Sequence, residues 1–126
     1  MYMESVERKE SYIVKRATSL GHAIRGIRVF IRITPNFWVH FFTFLFLVCL
    51  GLFFKLSLNE WLILILANGL VIAAEAVNTA IEIDMNLTHP GHHKMVRDTK
   101  DIAAAAVLIA GVTAWVIDLL VFIHHI

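Results

Sequence analysis

The charged positions of this chain leave three long gaps, and those gaps decide the fold class. Phe37–Phe54 runs 18 residues without a formal charge, interrupted by His40 and Thr43 and closed by Lys55. Trp61–Ile83 carries Glu75, Asn78 and Glu82 in its second half, and Ile102–Ile123 is 22 residues long with Asp118 as its single charge. A helix that crosses a bilayer needs about 20 predominantly apolar residues, so each stretch predicts a transmembrane span. Upstream, Ala17, Leu20, Ile24, Ile27 and Ile31 recur at spacings of three and four, while Arg25, Arg28 and Arg32 form a basic stripe of the same period. That pattern predicts a helix lying on the membrane surface and ending at Thr34-Pro35, because a residue before proline disfavours the helical region. The expected fold is an all-α membrane protein, an N-terminal amphipathic interfacial helix followed by three transmembrane helices.

Composition agrees. Apolar residues make up 59% of the 126 and charged residues 17%, with a mean hydropathy of +0.74; soluble proteins run at roughly 45–50% and about 25%. A net charge of +1 argues against a nucleic-acid partner, and a single cysteine, Cys49, cannot form an internal disulfide. Seven basic and three acidic side chains precede the first gap, so that gap reads as a retained anchor and not a cleaved leader. Those seven, against one basic residue between spans one and two, three between two and three and none afterwards, predict a multi-pass membrane protein with its N-terminus and the 84–101 loop in the cytoplasm. Residues 1–126 are expected to form a single domain. Its parts are a cytoplasmic tail and amphipathic helix (1–36), spans over 37–54, 61–83 and 102–123, and a cytoplasmic loop (84–101). Trp38, Trp61 and Trp115 are candidate interfacial anchors.

The second span holds the chemistry. A carboxylate at mid-helix costs about 2.5–3.5 kcal/mol on insertion scales, so two in one span imply a task or a partner. At about 100° per residue, Glu75, Asn78, Glu82 and Asn86 share one narrow sector, joined by Asn68, while Asp84 points away. Glu75 lies about 10 Å deeper than Glu82 along the axis. One face therefore offers acid at two depths: a shallow Glu82 able to share Mg²⁺ with nucleotide phosphates, and a deeper, partly desolvated Glu75 able to act as general base on a lipid hydroxyl. The same stripe also suits a proton- or cation-conducting path, or a polar seam between subunits.

Between spans two and three, His89-Pro90-Gly91-His92-His93 predicts a turn, and Asp98 is the expected N-cap of the third span's helix, with Asp101 at N3. Lys100 near a helix N-terminus is placed to meet phosphate, and the run Ala103–Ala106 suits close helix packing in lipid. The histidines lack a cysteine or a fixed fourth ligand for zinc. No Walker, soluble-kinase or nucleophile-elbow motif occurs, so phosphoryl transfer here requires a membrane site of its own.

The segments Glu75–Glu82 (EAVNTAIE) and Lys100–Val107 (KDIAAAAV) resemble the small bacterial integral-membrane diacylglycerol kinase family, whose Gram-positive branch phosphorylates undecaprenol. The likeness runs from about Lys15 to near the end, and Asn36-Phe37 with His40, then Glu60-Trp61, are closer to the undecaprenol branch. It implies a homotrimeric lipid kinase that moves the γ-phosphoryl of MgATP to diacylglycerol or undecaprenol. By that resemblance Glu75 is the catalytic base, Glu82 the Mg²⁺ and nucleotide contact, and Asn78 a positioning residue. His93, Lys100, Asp101, Lys15 and His22 are the nucleotide-facing group. The chain departs from the family pattern where Thr34 replaces a second metal-binding glutamate, Asn86 an aspartate, Trp38 an arginine and His22 an aromatic phenol. Those departures keep a catalytically weak or silent oligomeric protein as another reading, and the polar stripe of the second span keeps a small proton- or cation-conducting protein as a further one.

Overall fold

The structure is a computed structural model that describes residues 2–126, with side chains from Ser11 onward. Its helices are α1 (Tyr2–Ile33), α2 (Asn36–Phe54), α3 (Leu58–Thr88) and α4 (Lys94–Ile123), with no strand among the described residues. Helices α2, α3 and α4 are each long and apolar enough to cross a membrane, which makes this a multi-pass membrane protein. Residues up to Ile33 form one compact unit and residues from Thr34 onward a second.

The first unit is α1 alone. Leu20, Ile24 and Ile27 are exposed along it. Arg16 donates from Nε and Nη2 to the Tyr12 hydroxyl at 3.0 and 2.6 Å, and its guanidinium lies 5.0 Å from the centre of that ring. These contacts are one helical turn apart, the spacing at which side chains on one face meet. The helix stops at Ile33, ahead of Pro35, as the sequence predicts.

The second unit is built from antiparallel hairpins with short connections. Lys55 ends α2 in the left-handed region (φ 55°), its N–H bonded to Leu52 O and the Leu56 N–H to Gly51 O, which satisfies the last carbonyls of the helix. Ser57 then caps α3 through a capping box: its Oγ accepts from the Glu60 N–H, and its own N–H donates to Glu60 Oε2 at 2.7 Å. Gly51 is required here because a Cβ would come within 2.7 Å of the Trp61 ring, which packs over this turn. At the same end His125 Nε2 lies 2.7 Å from Glu60 Oε1, tying the end of α4 to the start of α3.

The main packing runs along α3 and α4, with α2 against α3. Leu47, Leu56, Leu64, Val121 and Phe122 form a cluster beside the α2–α3 turn, and Ala67, Val71 and Ala114 a second cluster further along. Most other apolar side chains face outward. Lipid tails are as apolar as leucine, so what holds these helices together in a bilayer is close packing and interhelical hydrogen bonds.

Much of the segment 84–101, expected as a loop, is helical. Helix α3 continues to Thr88 and α4 begins at Lys94, leaving His89–His93 as the connection. Asp98 is therefore not a cap. His93 is, its Nδ1 accepting from the Met95 N–H at 3.2 Å, because the Pro90-Gly91 break lies directly before it. Lys100 consequently sits inside α4, about two turns from its start, where terminal amides no longer reach.

Candidate active site

Helix α3 carries the stripe, and its neighbours divide it. Glu75 is buried at 3% exposure and turns toward the first two turns of α2. Asn36 Nδ2 donates to Glu75 Oε1 at 3.2 Å, and His40 Nε2 lies 3.2 Å from the same oxygen. One turn on, the Thr79 and Thr34 hydroxyls pair at 2.9 Å, with Thr34 itself buried. The start of α2 is thus fastened to α3 by polar contacts around one carboxylate. Among the described residues no fully buried side-chain oxygen or nitrogen lacks a partner. Among the described residues both hydrogen bonds to Glu75 fall on Oε1, and Oε2 receives none.

Glu82, two turns further along the same face, pairs with α4 instead of α2. Its side chain is about half exposed, and Lys100 Nζ lies 3.7 Å from its Oε1 while donating to Asn86 Oδ1 at 3.2 Å. Lys100, Asp101 and His93 share with Asn86, His92 and Arg97 a cavity of about 690 Å³ beside the α3–α4 connection. Its lining mixes cationic and hydrogen-bonding groups, the chemistry that a polyphosphate needs. Asn78 lies apart from it, in an apolar groove of about 520 Å³ between α3 and α4 lined by Ala73, Ala74, Ala103 and Ala106. Asn68 donates to Asp118 of α4. Lys15 and His22 are exposed on α1, two turns apart and so on one face of that helix.

The structure therefore gathers His93, Lys100 and Asp101 at one cavity, with Glu82 paired to Lys100, and holds Glu75 separately against α2. Asn36 and His40 are the contacts of Glu75 that sequence reasoning did not assign to the site. Their spacing of four residues, one face of a helix, was the available signal.

Residues 21–122 match the family model of prokaryotic diacylglycerol kinase. The chain belongs to that family. As a member of the prokaryotic diacylglycerol kinases it is a lipid kinase. The undecaprenol kinase of Bacillus subtilis is 36% identical to it over 105 residues, covering 83% of this chain and 85% of that protein. A diacylglycerol kinase of Synechocystis is 30% identical over 100 residues, covering 79% of this chain and 57% of that protein. No solved structure matches significantly. Among the described residues no three His, Cys, Asp or Glu side chains are arranged to hold a metal ion. The half-exposed carboxylate of Glu82 is a donor of the kind that fits Mg²⁺, an ion commonly held by one or two carboxylates together with substrate phosphates.

Proposed function

We propose that this kinase transfers the γ-phosphoryl of MgATP to the hydroxyl of a membrane lipid alcohol at the cytoplasmic face of the bacterial cytoplasmic membrane, with its N-terminus inside. Undecaprenol is the first acceptor to test, because the relative that matches over most of both chains bears that name; diacylglycerol is the second. The observation that carries the reading is the division of labour on α3. A buried, held carboxylate at Glu75 and an exposed one at Glu82 beside Lys100 lie on one helix, separated by about 10 Å of rise. Family membership favours phosphoryl transfer over ion conduction or a silent assembly role.

Glu75 takes the proton of the lipid hydroxyl as that oxygen bonds to the γ-phosphorus. The bond from the γ-phosphorus to the bridging oxygen breaks, and ADP leaves with the electron pair. Lys100 offsets charge on the transferred group, and His93, Asp101, Lys15 and His22 face the nucleotide. Asn78 positions the reacting groups. Glu82 would hold Mg²⁺, which supplies neutralisation of phosphate charge when bound. Catalysis on this reading is positioning and electrostatics. A homotrimer completes the proposal, with the alanine-lined groove between α3 and α4 suited to close approach by a helix of another subunit.

The test supplies the full-length protein in mixed micelles with labelled ATP, Mg²⁺ and undecaprenol, diacylglycerol or ceramide. Lipid-dependent label transfer is expected, abolished by Glu75→Gln with the oligomer intact, and Glu82→Gln is expected to raise the Mg²⁺ requirement sharply. Absence of transfer to any lipid would overturn the kinase reading. Full turnover in Glu75→Gln would remove the base, and an unchanged Mg²⁺ dependence in Glu82→Gln would remove the metal contact.

A further inference from the structure

We infer that Asn36 and His40 are positioning residues that give the two oxygens of Glu75 different tasks: α2 holds Oε1, and Oε2 is the basic oxygen that meets the lipid hydroxyl. The inference rests on Glu75 being the base. It goes further by naming which atom acts and which side chains select it.

The argument begins with the asymmetry of the contacts. Asn36 Nδ2 is a donor with no alternative, and it meets Oε1 at 3.2 Å. His40 Nε2 meets the same Oε1, also at 3.2 Å. With Glu75 ionised, both nitrogens donate, which sets His40 with its proton on Nε2. A carboxylate buried at 3% exposure requires compensation of this kind, because a buried charged or polar group without hydrogen bonds is costly. The compensation falls entirely on one oxygen.

Two donors on Oε1 fix the carboxylate plane, since rotating the group to exchange its oxygens would break both bonds at once. Oε2 then keeps its lone pairs for an incoming O–H, in a geometry set before substrate arrives. The donors are four residues apart on one face of α2, and that helix is anchored to α3 by the Thr34–Thr79 contact beside them. Preorganisation of this sort acts on the chemical step and leaves nucleotide affinity alone, because Asn36 and His40 lie outside the cavity formed around Lys100.

The test compares His40→Phe, which keeps a ring and removes the N–H, with His40→Gln, which keeps an N–H donor, alongside Asn36→Leu and Glu75→Gln. Each is assayed as the full chain for kcat and for the KM of ATP and of lipid, with thermal unfolding followed in the same detergent. His40→Phe and Asn36→Leu are each expected to lower kcat about tenfold or more with the KM of ATP unchanged, and His40→Gln to recover most of the loss. A purely structural role would lower unfolding temperature and active fraction without that split and without recovery by glutamine. If Glu75→Gln is inactive while His40→Phe and Asn36→Leu turn over like the parent, this inference fails and the base assignment survives. If Glu75→Gln remains active, both fail. Equal loss in His40→Gln and His40→Phe also overturns the inference.

Discussion

Lys100 and Glu82 neutralise one another across the α3–α4 interface, Nζ lying 3.7 Å from Oε1, with Asn86 taking a hydrogen bond from the same ammonium at 3.2 Å. Both side chains are partly exposed, and exposed ion pairs contribute about 0–1 kcal/mol. Separating them to admit a phosphate and its metal therefore costs little. Lys100→Met is expected to change thermal stability by no more than about 1 kcal/mol and to lower kcat by about 10²-fold or more, as loss of one donor at a developing charge does elsewhere. Unfolding curves and initial rates measured on the same preparation check both halves. A variant that is badly destabilised, or fully active, contradicts the assignment.

Thr34, which the family resemblance places at the position of a second metal-binding glutamate, has a structural contact of its own. Its hydroxyl is buried and paired with Thr79, one turn from Glu75. Thr34→Glu removes that pair and forces a larger, charged side chain into a buried position. It is expected to destabilise the protein by about 1–3 kcal/mol, the range for an unsatisfied buried polar group, without lowering the Mg²⁺ requirement. Thermal unfolding and an Mg²⁺ titration of activity decide the matter. Parent-like stability with a reduced Mg²⁺ requirement would show that the position still serves the metal.

The architecture was legible because lipid imposes a length rule that few other environments do: three runs near 20 apolar residues have few alternatives. The ends of α3 and α4 were not, because both helices outrun their apolar stretches. Asp84–Thr88 and Lys94–Asp101 carry no apolar stripe strong enough to mark them as helical, so a well-placed aspartate, Asp98, drew the cap away from His93. The stripe on α3 was legible as a stripe. Which neighbour each member would meet was not, since helical period fixes direction about one axis and says nothing of where α2 and α4 lie. Glu75 and Glu82 share a sector, yet one meets His40 and the other Lys100.

The turn between α2 and α3 rests on backbone space at Gly51. A Cβ there would lie 2.7 and 2.9 Å from two atoms of the Trp61 ring and 3.0 Å from Leu56. The ring is rigid and the neighbours belong to the buried cluster, so the strain cannot be relieved by one flexible side chain. Gly51→Ala is expected to destabilise by about 1–3 kcal/mol, the usual cost of overpacking a core. Trp61→Leu in the same background should recover part of it, and a double-mutant cycle on unfolding free energies measures the coupling. Additive losses would mean that the close approach carries no strain.

Asn68 and Asp118 form a second polar link between α3 and α4, about 10 Å along the α3 axis from Glu75. Asn68 Nδ2 donates to the two carboxylate oxygens at 3.0 and 3.3 Å and also to Leu64 O at 3.0 Å. That second acceptor makes the pair unequal. Asp118→Leu leaves the amide still bonded to Leu64, whereas Asn68→Leu leaves a buried acid without a donor. Interhelical hydrogen bonds in membrane proteins average about 0.6 kcal/mol and reach about 1.7, so Asp118→Leu should cost no more than that range. Asn68→Leu should cost more, since removing one partner exposes the full penalty of the group left behind. Unfolding of both single variants and the double variant in detergent checks the order, with the double expected to be more stable than Asn68→Leu alone. The lipid-kinase rate of Asp118→Leu should stay close to the parent's, because the pair touches neither Glu75 nor the cavity at Lys100. Equal costs for the two single variants would mean that Asp118 does not depend on Asn68 for its accommodation between the helices.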